Sequence, residues 1–235
     1  MLAAIVLARK SSIRGAGTWY SAFALAGYAM AFSYAYLAIG AATGALLLFG
    51  AVQLTMIVGG LFRGERPTIR QTFGWLVAAS GLVVLNVPGL DPPPLGGALL
   101  MMVAGIAWGI YTLRGRGVTR PLVATAGNFL RSVPIAAVLV AIAFATRAHA
   151  STMGIALAAT SGAIASGLGY SLWYAAVPAL GAMRAAVVQL SVPVLTALAA
   201  IVILGEPLRT TVAIGGAAIV GGLALALRRA VARTA

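Results

Sequence analysis

The sequence predicts an all-α integral membrane protein, a polytopic helix bundle. Three observations carry this expectation. Of 235 residues, 62% are apolar and only 8% are charged, against about 45–50% and about 25% in ordinary globular chains. The apolar residues fall into long runs. The charged residues, sixteen Lys plus Arg against three Asp plus Glu, sit in small clusters between those runs, as membrane loops do. A nucleic-acid binder gathers its basic residues on one solvated face. The net charge of +13 is therefore a topology signal, and no nucleic-acid partner is expected. The chain has no Cys, which removes a disulfide scaffold and a thiolate metal site.

A bilayer core about 30 Å thick needs roughly 20 apolar residues per helix. Eight stretches meet this, at 17–39, 42–62, 71–88, 94–113, 122–146, 152–175, 181–204 and 210–228. Short connections make neighbours antiparallel. Met1 to Ala8 is apolar but too short to span, and Arg9-Lys10 follow it. A secretory signal has the opposite order. With eight spans, thirteen basic residues fall on one side: Arg9, Lys10, Arg14, Arg63, Arg66, Arg70, Arg114, Arg116, Arg120, Arg184, Arg228, Arg229 and Arg233. The other side holds only Arg147 and Arg209. The positive-inside rule then places the C-terminus in the cytoplasm and the chain in the inner (plasma) membrane as a multi-pass protein.

An internal repeat appears at an offset of 141 positions. Gly64-Glu65 lands on Gly205-Glu206, Gly40-Ala41 on Gly181-Ala182, Leu54-Thr55 on Leu195-Thr196, Gly74 on Gly215 and Gly81-Leu82 on Gly222-Leu223. A one-residue change of register also places Gly27-Tyr28 on Gly169-Tyr170. The expected organisation is a first, incomplete repeat at 1–90, an outer linker at 91–93 and a complete second repeat at 94–230. Five spans per copy is odd, so the copies have opposite orientation, a common plan of secondary transporters. By subtraction the first copy lacks its first helix and most of its second, leaving eight full spans plus a stub. The expectation is a start that falls mid-helix, to be checked by reading the DNA upstream of Met1. The alternative reading is a non-transporting membrane fragment that needs a partner, and a homodimer would fill the lateral gap.

The stretch Ala165–Leu208, including GYSLWYAAVPALGAMRAAVVQLSVPVLTALAAIVILGEPL, and the run AGYAMAFSYAYLAIGAATGALLLFGAVQLTMIVGGLFRGERPT resemble the EamA-type transporters of the drug/metabolite transporter superfamily. The most specific parts are the two Gly-Glu helix ends, each followed by a Gly-rich span. The resemblance implies ten helices in two inverted five-helix halves, cytoplasmic termini and metabolite export; Arg131 and the mid-span aromatics point to an amino acid or another small, partly anionic or aromatic compound as the substrate, moved by alternating access.

Several polar and aromatic residues within spans could carry that function. Arg131 lies about ten residues into its span, roughly 13–15 Å from the cytoplasmic end. A charge there is costly and should face the bundle interior or water. Asn128 shares its helical face, and Pro134 frees the carbonyl of Leu130. The resemblance adds an Arg at the corresponding place in many members. The alternative is an Arg that snorkels or satisfies a freed carbonyl. Gln189, Pro193 and Thr196 share a second face, with Pro193 freeing the carbonyl of Gln189; Phe49 and Gln53 occupy the matching helix of the first copy, where Thr55 is the repeat equivalent of Thr196. The alternative there is an interhelical hydrogen-bond patch.

Ser166, Tyr170 and Trp173 share a face, as do Tyr28, Phe32 and Tyr36, while Trp108 and Tyr111 lie in the cytoplasmic half of their span. These aromatics are candidate cavity-lining residues; Trp19, Tyr20 and Trp75 read as interfacial belt residues. Glu65 and Glu206 follow Gly at helix ends and read as helix terminators or gate hinges, with Pro134 and Pro193 as further hinge candidates. Gly74/Gly81 and Gly215/Gly222 read as close helix packing.

No Asp or Glu lies inside a span. Asp91 is in the outer connection, and His149, the only His, is in an outer loop beside Arg147. No acid/base pair can be assembled, so the chain is not expected to be an enzyme. No metal or cofactor is expected; the partners are a small-molecule substrate and the lipid bilayer. Replacing Arg131 by Ala is expected to abolish transport in vesicles while preserving membrane insertion. An unchanged transport rate would remove Arg131 from the mechanism.

Overall fold

The computed structural model describes residues 15–87, 92–145, 150–205 and 207–227. Every regular element among them is helical: α1 (Trp19–Ala35), α2 (Ala41–Phe62), α3 (Ile69–Asn86), α4 (Leu95–Gly115), α5 (Pro121–Ala145), α6 (Thr152–Thr160), a π-helical segment Ser161–Leu168, α7 (Gly169–Gln189), α8 (Ser191–Leu204) and α9 (Thr210–Leu227). Five runs are long and apolar enough to cross a bilayer: Ala41–Phe62, Leu95–Gly115, Pro121–Ile142, Thr152–Gln189 and Thr210–Leu227. The chain is a multi-pass helical membrane protein. The N-terminal stub, Asp91, Arg147, His149, Glu206 and the basic C-terminal tail lie outside the described residues.

The helix ends follow local chemistry. Thr68 caps α3 through a capping box, its hydroxyl accepting from Gln71 N while Gln71 Oε1 accepts from Thr68 N, a reciprocal pairing that satisfies two otherwise orphaned donors. Ser151 caps α6 by accepting from Gly154 N at 3.0 Å. Gly205 ends α8 with φ of 68°, a left-handed conformation that favours glycine. Pro134 sits within the continuous helix α5.

The structure differs from the expected span limits between 152 and 204. Helix continues through residues 176–180, where a connection was expected, and breaks at Gly181, with φ of 74° and ψ of 171°, where the next span was expected to begin. A single residue at positive φ turns the chain in place of the expected loop, because glycine has no Cβ to clash there. The helix breaks again at Leu190 and resumes at Ser191, two residues ahead of Pro193, which suits the missing Pro193 donor. In the first copy the corresponding connection is a turn at residues 36–39 after α1. The one-residue register change in the repeat falls in this connection.

By contacts the chain forms two compact units. One comprises residues up to Met30 with Ala107–Leu180; the other comprises Ala31–Ile106 with Gly181 onward. Each unit therefore draws helices from both sequence copies. In the first unit, Leu25, Tyr111 and Tyr174 form a buried core with Trp108, Phe129, Tyr170 and Trp173 packed on it. In the second, Ala78, Leu82, Leu190, Val194 and Ile219 form the core.

Helices α3 and α9 pack on glycines. A Cβ on Gly74 would lie 2.7 Å from Gly222 O, and one on Gly81 would lie 2.7 Å from Gly215 O. Backbones this close gain dispersion and hydrogen-bond contact where burial from lipid supplies little driving force. The 141-residue offset converts the pair Gly74–Gly222 into the pair Gly215–Gly81, so the two contacts are exchanged by a local two-fold operation. Helix α4 approaches α2 the same way, since a Cβ on Gly105 would lie 2.6 Å from Leu48 O.

Gly81→Val should lower stability by about 1–3 kcal/mol, read as a lower thermal midpoint in detergent. Gly50→Ala is the control, because no atom lies within 4 Å of its added Cβ. A Gly81→Val protein that melts with the wild type would contradict the close α3–α9 approach.

Candidate functional site

In the first unit, α1, α5 and the Ser161–Tyr170 region enclose a cavity of about 260 Å³. Helix α1 lines it with Leu25, Ala26, Ala29 and Met30, α5 with Phe129, Ser132, Val133 and Ala136, and the third wall is Ser166 and Tyr170. Ser166 belongs to the π-helical segment, a winding that recurs at functional sites because its extra residue per turn re-aims side chains. The wall is apolar apart from three hydroxyls, those of Ser132, Ser166 and Tyr170, and it carries no acidic or basic side chain.

Tyr170 belongs to both the cavity wall and an aromatic cluster. Its ring lies 4.7 Å from Trp108, 6.0 Å from Phe129 and 6.4 Å from Tyr28, centroid to centroid, and Trp108 lies 4.9 Å from Tyr28 and 5.7 Å from Tyr111. Tilted pairs at these distances are favourable beyond their burial, by about 0.5–1.5 kcal/mol each. The structure thus brings Tyr28, Trp108, Tyr111 and Tyr170 together. Trp173 stands at the edge, donating from Nε1 to Thr112 Oγ1 at 3.0 Å. Tyr174 donates to Tyr111 O at 2.9 Å. The Tyr111 and Thr125 hydroxyls are enclosed near Asn128 without meeting hydrogen-bond geometry.

Asn128 and Arg131 fasten the start of α1 to α5. Asn128, fully buried, accepts from Thr18 N at 3.0 Å. Arg131 Nη1 donates to Ala16 O and, at 3.1 Å, to Gly127 O. Its guanidinium reaches back one turn to backbone carbonyls, an arrangement that satisfies a membrane cation internally. Ser132 adds a bond to Ala22 O at 3.3 Å and one to Asn128 O at 2.9 Å. Sequence reasoning missed a second fastening arginine. Arg114 Nε donates to Ser21 Oγ at 2.9 Å, Nη2 donates to Thr18 Oγ1 at 3.1 Å, and the guanidinium stacks 5.3 Å from the Tyr20 ring centroid. The clue in the sequence is the Thr18/Ser21 pair at helical spacing.

The second unit holds the remaining candidates. Glu65 Oε1 accepts from Ala182 N and Oε2 from Met183 N, both at 3.0 Å. The carboxylate ending α2 therefore caps the helix that restarts after Gly181, where a negative charge meets the positive end of the helix dipole. Buried Gln53 donates to Ala186 O at 2.7 Å and accepts from Trp75 Nε1 at 2.9 Å. Trp75, expected at the belt, is thereby committed to an internal bond. Gln189, also buried, directs Nε2 at Met56 Sδ, 3.1 Å away. Thr196 is exposed on α8 and Pro193 is buried. Among the described residues no group of three or more His, Cys, Asp or Glu could hold a metal ion.

Comparison with known proteins matches residues 95–228 to the model of the EamA-like transporter family. An uncharacterized protein of Pseudomonas aeruginosa is 50% identical over 236 aligned positions, covering all of this chain and 82% of that one. A Streptantibioticus cattleyicolor protein named "Probable terminal-alkyne amino-acid exporter" is 28% identical over 219 positions, 89% of this chain and 71% of that one. An Archaeoglobus fulgidus protein named "Uncharacterized transporter" is 27% identical over 178 positions, 74% of this chain and 63% of that one. A protein of known crystal structure superposes with a TM-score of 0.81 at 24% identity, over 96% of this chain and 82% of that one, which shows the shared fold. The chain, a membrane transporter by its relatives and its helices, belongs to the EamA-like transporter family.

Proposed function

We propose that the chain exports a small metabolite of the amino-acid class across the inner membrane by alternating access, with its C-terminus in the cytoplasm. The observation that carries this reading is the apolar cavity beside Tyr170, whose ring joins the cavity wall to the aromatic cluster of Tyr28 and Trp108. Its apolar wall and three hydroxyls suit a small molecule with an apolar or unsaturated side chain whose polar end takes hydrogen bonds. The named amino-acid exporter among the relatives agrees with that class. Tyr170, Tyr28 and Trp108 contact the substrate, with Tyr111 and Trp173 supporting them. Asn128 and Arg131 hold α1 on α5 and so set the cavity's width.

In the second unit, Gln53, Gln189 and Thr196 supply polar groups along the transport path. The pivot is Gly181, flanked by the Glu65 cap, with Pro193 and Pro134 as further points of bending and Glu206 as the partner of Glu65 by repeat position. The exchange of Gly74–Gly222 with Gly81–Gly215 supports an inverted repeat, and rocking of one half against the other follows from that plan. The 13-to-2 division of basic residues supports the sidedness.

The test is flux of a radiolabelled amino-acid mixture from proteoliposomes. Wild-type protein should exceed empty liposomes for at least one component. Tyr170→Ala should lower that rate about tenfold, near the upper end of what one aromatic contact supplies, and Tyr170→Phe should retain most of it. Flux equal to that of empty liposomes, or an undiminished Tyr170→Ala, would overturn the reading.

Glu65 gives a separate expectation. Glu65→Ala orphans two amide donors and should lower stability by about 1–3 kcal/mol. Glu65→Gln keeps one acceptor and should fall between Ala and wild type. Thermal midpoints in detergent check the order; identical midpoints would remove the cap from the account.

A further inference from the structure

A second cavity, of about 230 Å³, lies in the second unit, away from the aromatic cluster in the sequence and outside the transport reading. It falls below the roughly 300–1,000 Å³ of sites for drug-sized ligands. Its surface is almost wholly apolar. The polar residues that border it, Gln71 and Thr72 in the first turn of α3 and Arg184 three residues past the Gly181 turn, gather at one end, at the level of the helix termini. Leu54, Trp75 and Val187 line the rest. Leu54 lies eight residues before the end of α2 at Phe62, about 12 Å deeper along the helix.

The charge at the polar end is one-sided. The connection from α2 to α3 carries Arg63 and Arg66, Arg70 lies in the first turn of α3, and Arg184 is in the cavity wall itself. The acid of that connection, Glu65, already accepts from Ala182 N and Met183 N, so it is committed to the fold. A basic end at the helix termini that continues into an apolar slot fits one kind of molecule, an anionic head bearing a hydrocarbon chain. The positive-inside assignment puts this end at the cytoplasmic leaflet, whose anionic lipids attract such clusters.

We infer that this cavity is a binding site for an anionic phospholipid, its phosphate at Arg184 and a stretch of acyl chain between α2, α3 and α7. The occupant is a membrane lipid rather than free phosphate, because the slot beyond the basic end offers a phosphate ion nothing to bind.

The test uses the full chain in nanodiscs whose lipid is phosphatidylcholine doped with phosphatidylglycerol, with lipid retention read by native mass spectrometry. Wild-type protein should retain phosphatidylglycerol preferentially. Arg184→Gln should reduce that preference about fivefold, the effect of one surface arginine, and Arg184→Lys should keep it. Leu54→Trp, which narrows the slot, should lower retention with Arg184 intact. Since Leu54 is largely exposed, this variant retains the core. Equal retention of both lipids, an unchanged Arg184→Gln, or full competition by millimolar inorganic phosphate would overturn the proposal. Transport is not the readout, so a failure here leaves the exporter reading separately testable.

Discussion

A membrane interior offers the backbone no water, so every polar group within it must find its partner in the protein. The described residues meet this demand with side chains that serve other segments of backbone. Glu65 supplies two acceptors to the helix that restarts at Ala182. Gln53 ties Ala186 O to the Trp75 indole. Asn128 accepts from Thr18 N, and Arg131 donates to Ala16 O and Gly127 O. Apart from the Arg131–Gly127 bond within α5, these bonds join residues on different helices or segments. The fold can turn at Gly181 without a loop because Glu65 replaces the acceptors that a preceding helical turn would have given.

Where the glycines pack, the chain solves a different problem. Apolar side chains gain little by leaving lipid for protein, so association relies on close contact. The α3–α9 pair achieves it with four glycines arranged so that each contact has a counterpart at the other end. The cavity in the other unit is built differently. Its walls are a π-helical segment, a proline-bearing helix and the middle of α1, and the first two depart from a regular α-helical hydrogen-bond ladder.

Much of this was legible in the sequence, for reasons that can be named. Helix α9 runs Thr210–Leu227 and α3 runs Ile69–Asn86, the same length at the repeat offset, because apolar length and the Gly spacing specify them locally. Tyr28 and Tyr170 stood out by their mid-span positions; that Trp108 and Tyr111, in the cytoplasmic half of their span, pack with them did not. The partners did not follow. A sequence shows Glu65 after Gly64, yet not the amides of residues more than a hundred positions away. It shows Arg131 inside a span, yet not that Gly127 and the Gly17 turn open Ala16 O to it. Periodicity placed the start of a span at Gly181, where the helix does break, but not the single-residue turn there, since hydropathy falls at a turn whether the turn is one residue or six. Ser132 and Ser166 became visible as cavity hydroxyls only once α1, α5 and the π-helical segment were placed around them.

The account's central claim is that the Tyr170 cavity opens to the two sides of the membrane in turn. The chain contains no Cys, so Ser166→Cys provides a single thiol in the cavity wall. Its labelling by a membrane-impermeant maleimide, applied from one side of oriented vesicles and then from the other, is the most direct measurement. The account predicts modification from both sides, at rates that shift in opposite directions when a transported amino acid is added. Labelling from one side only, unchanged by every amino acid tried, would contradict it.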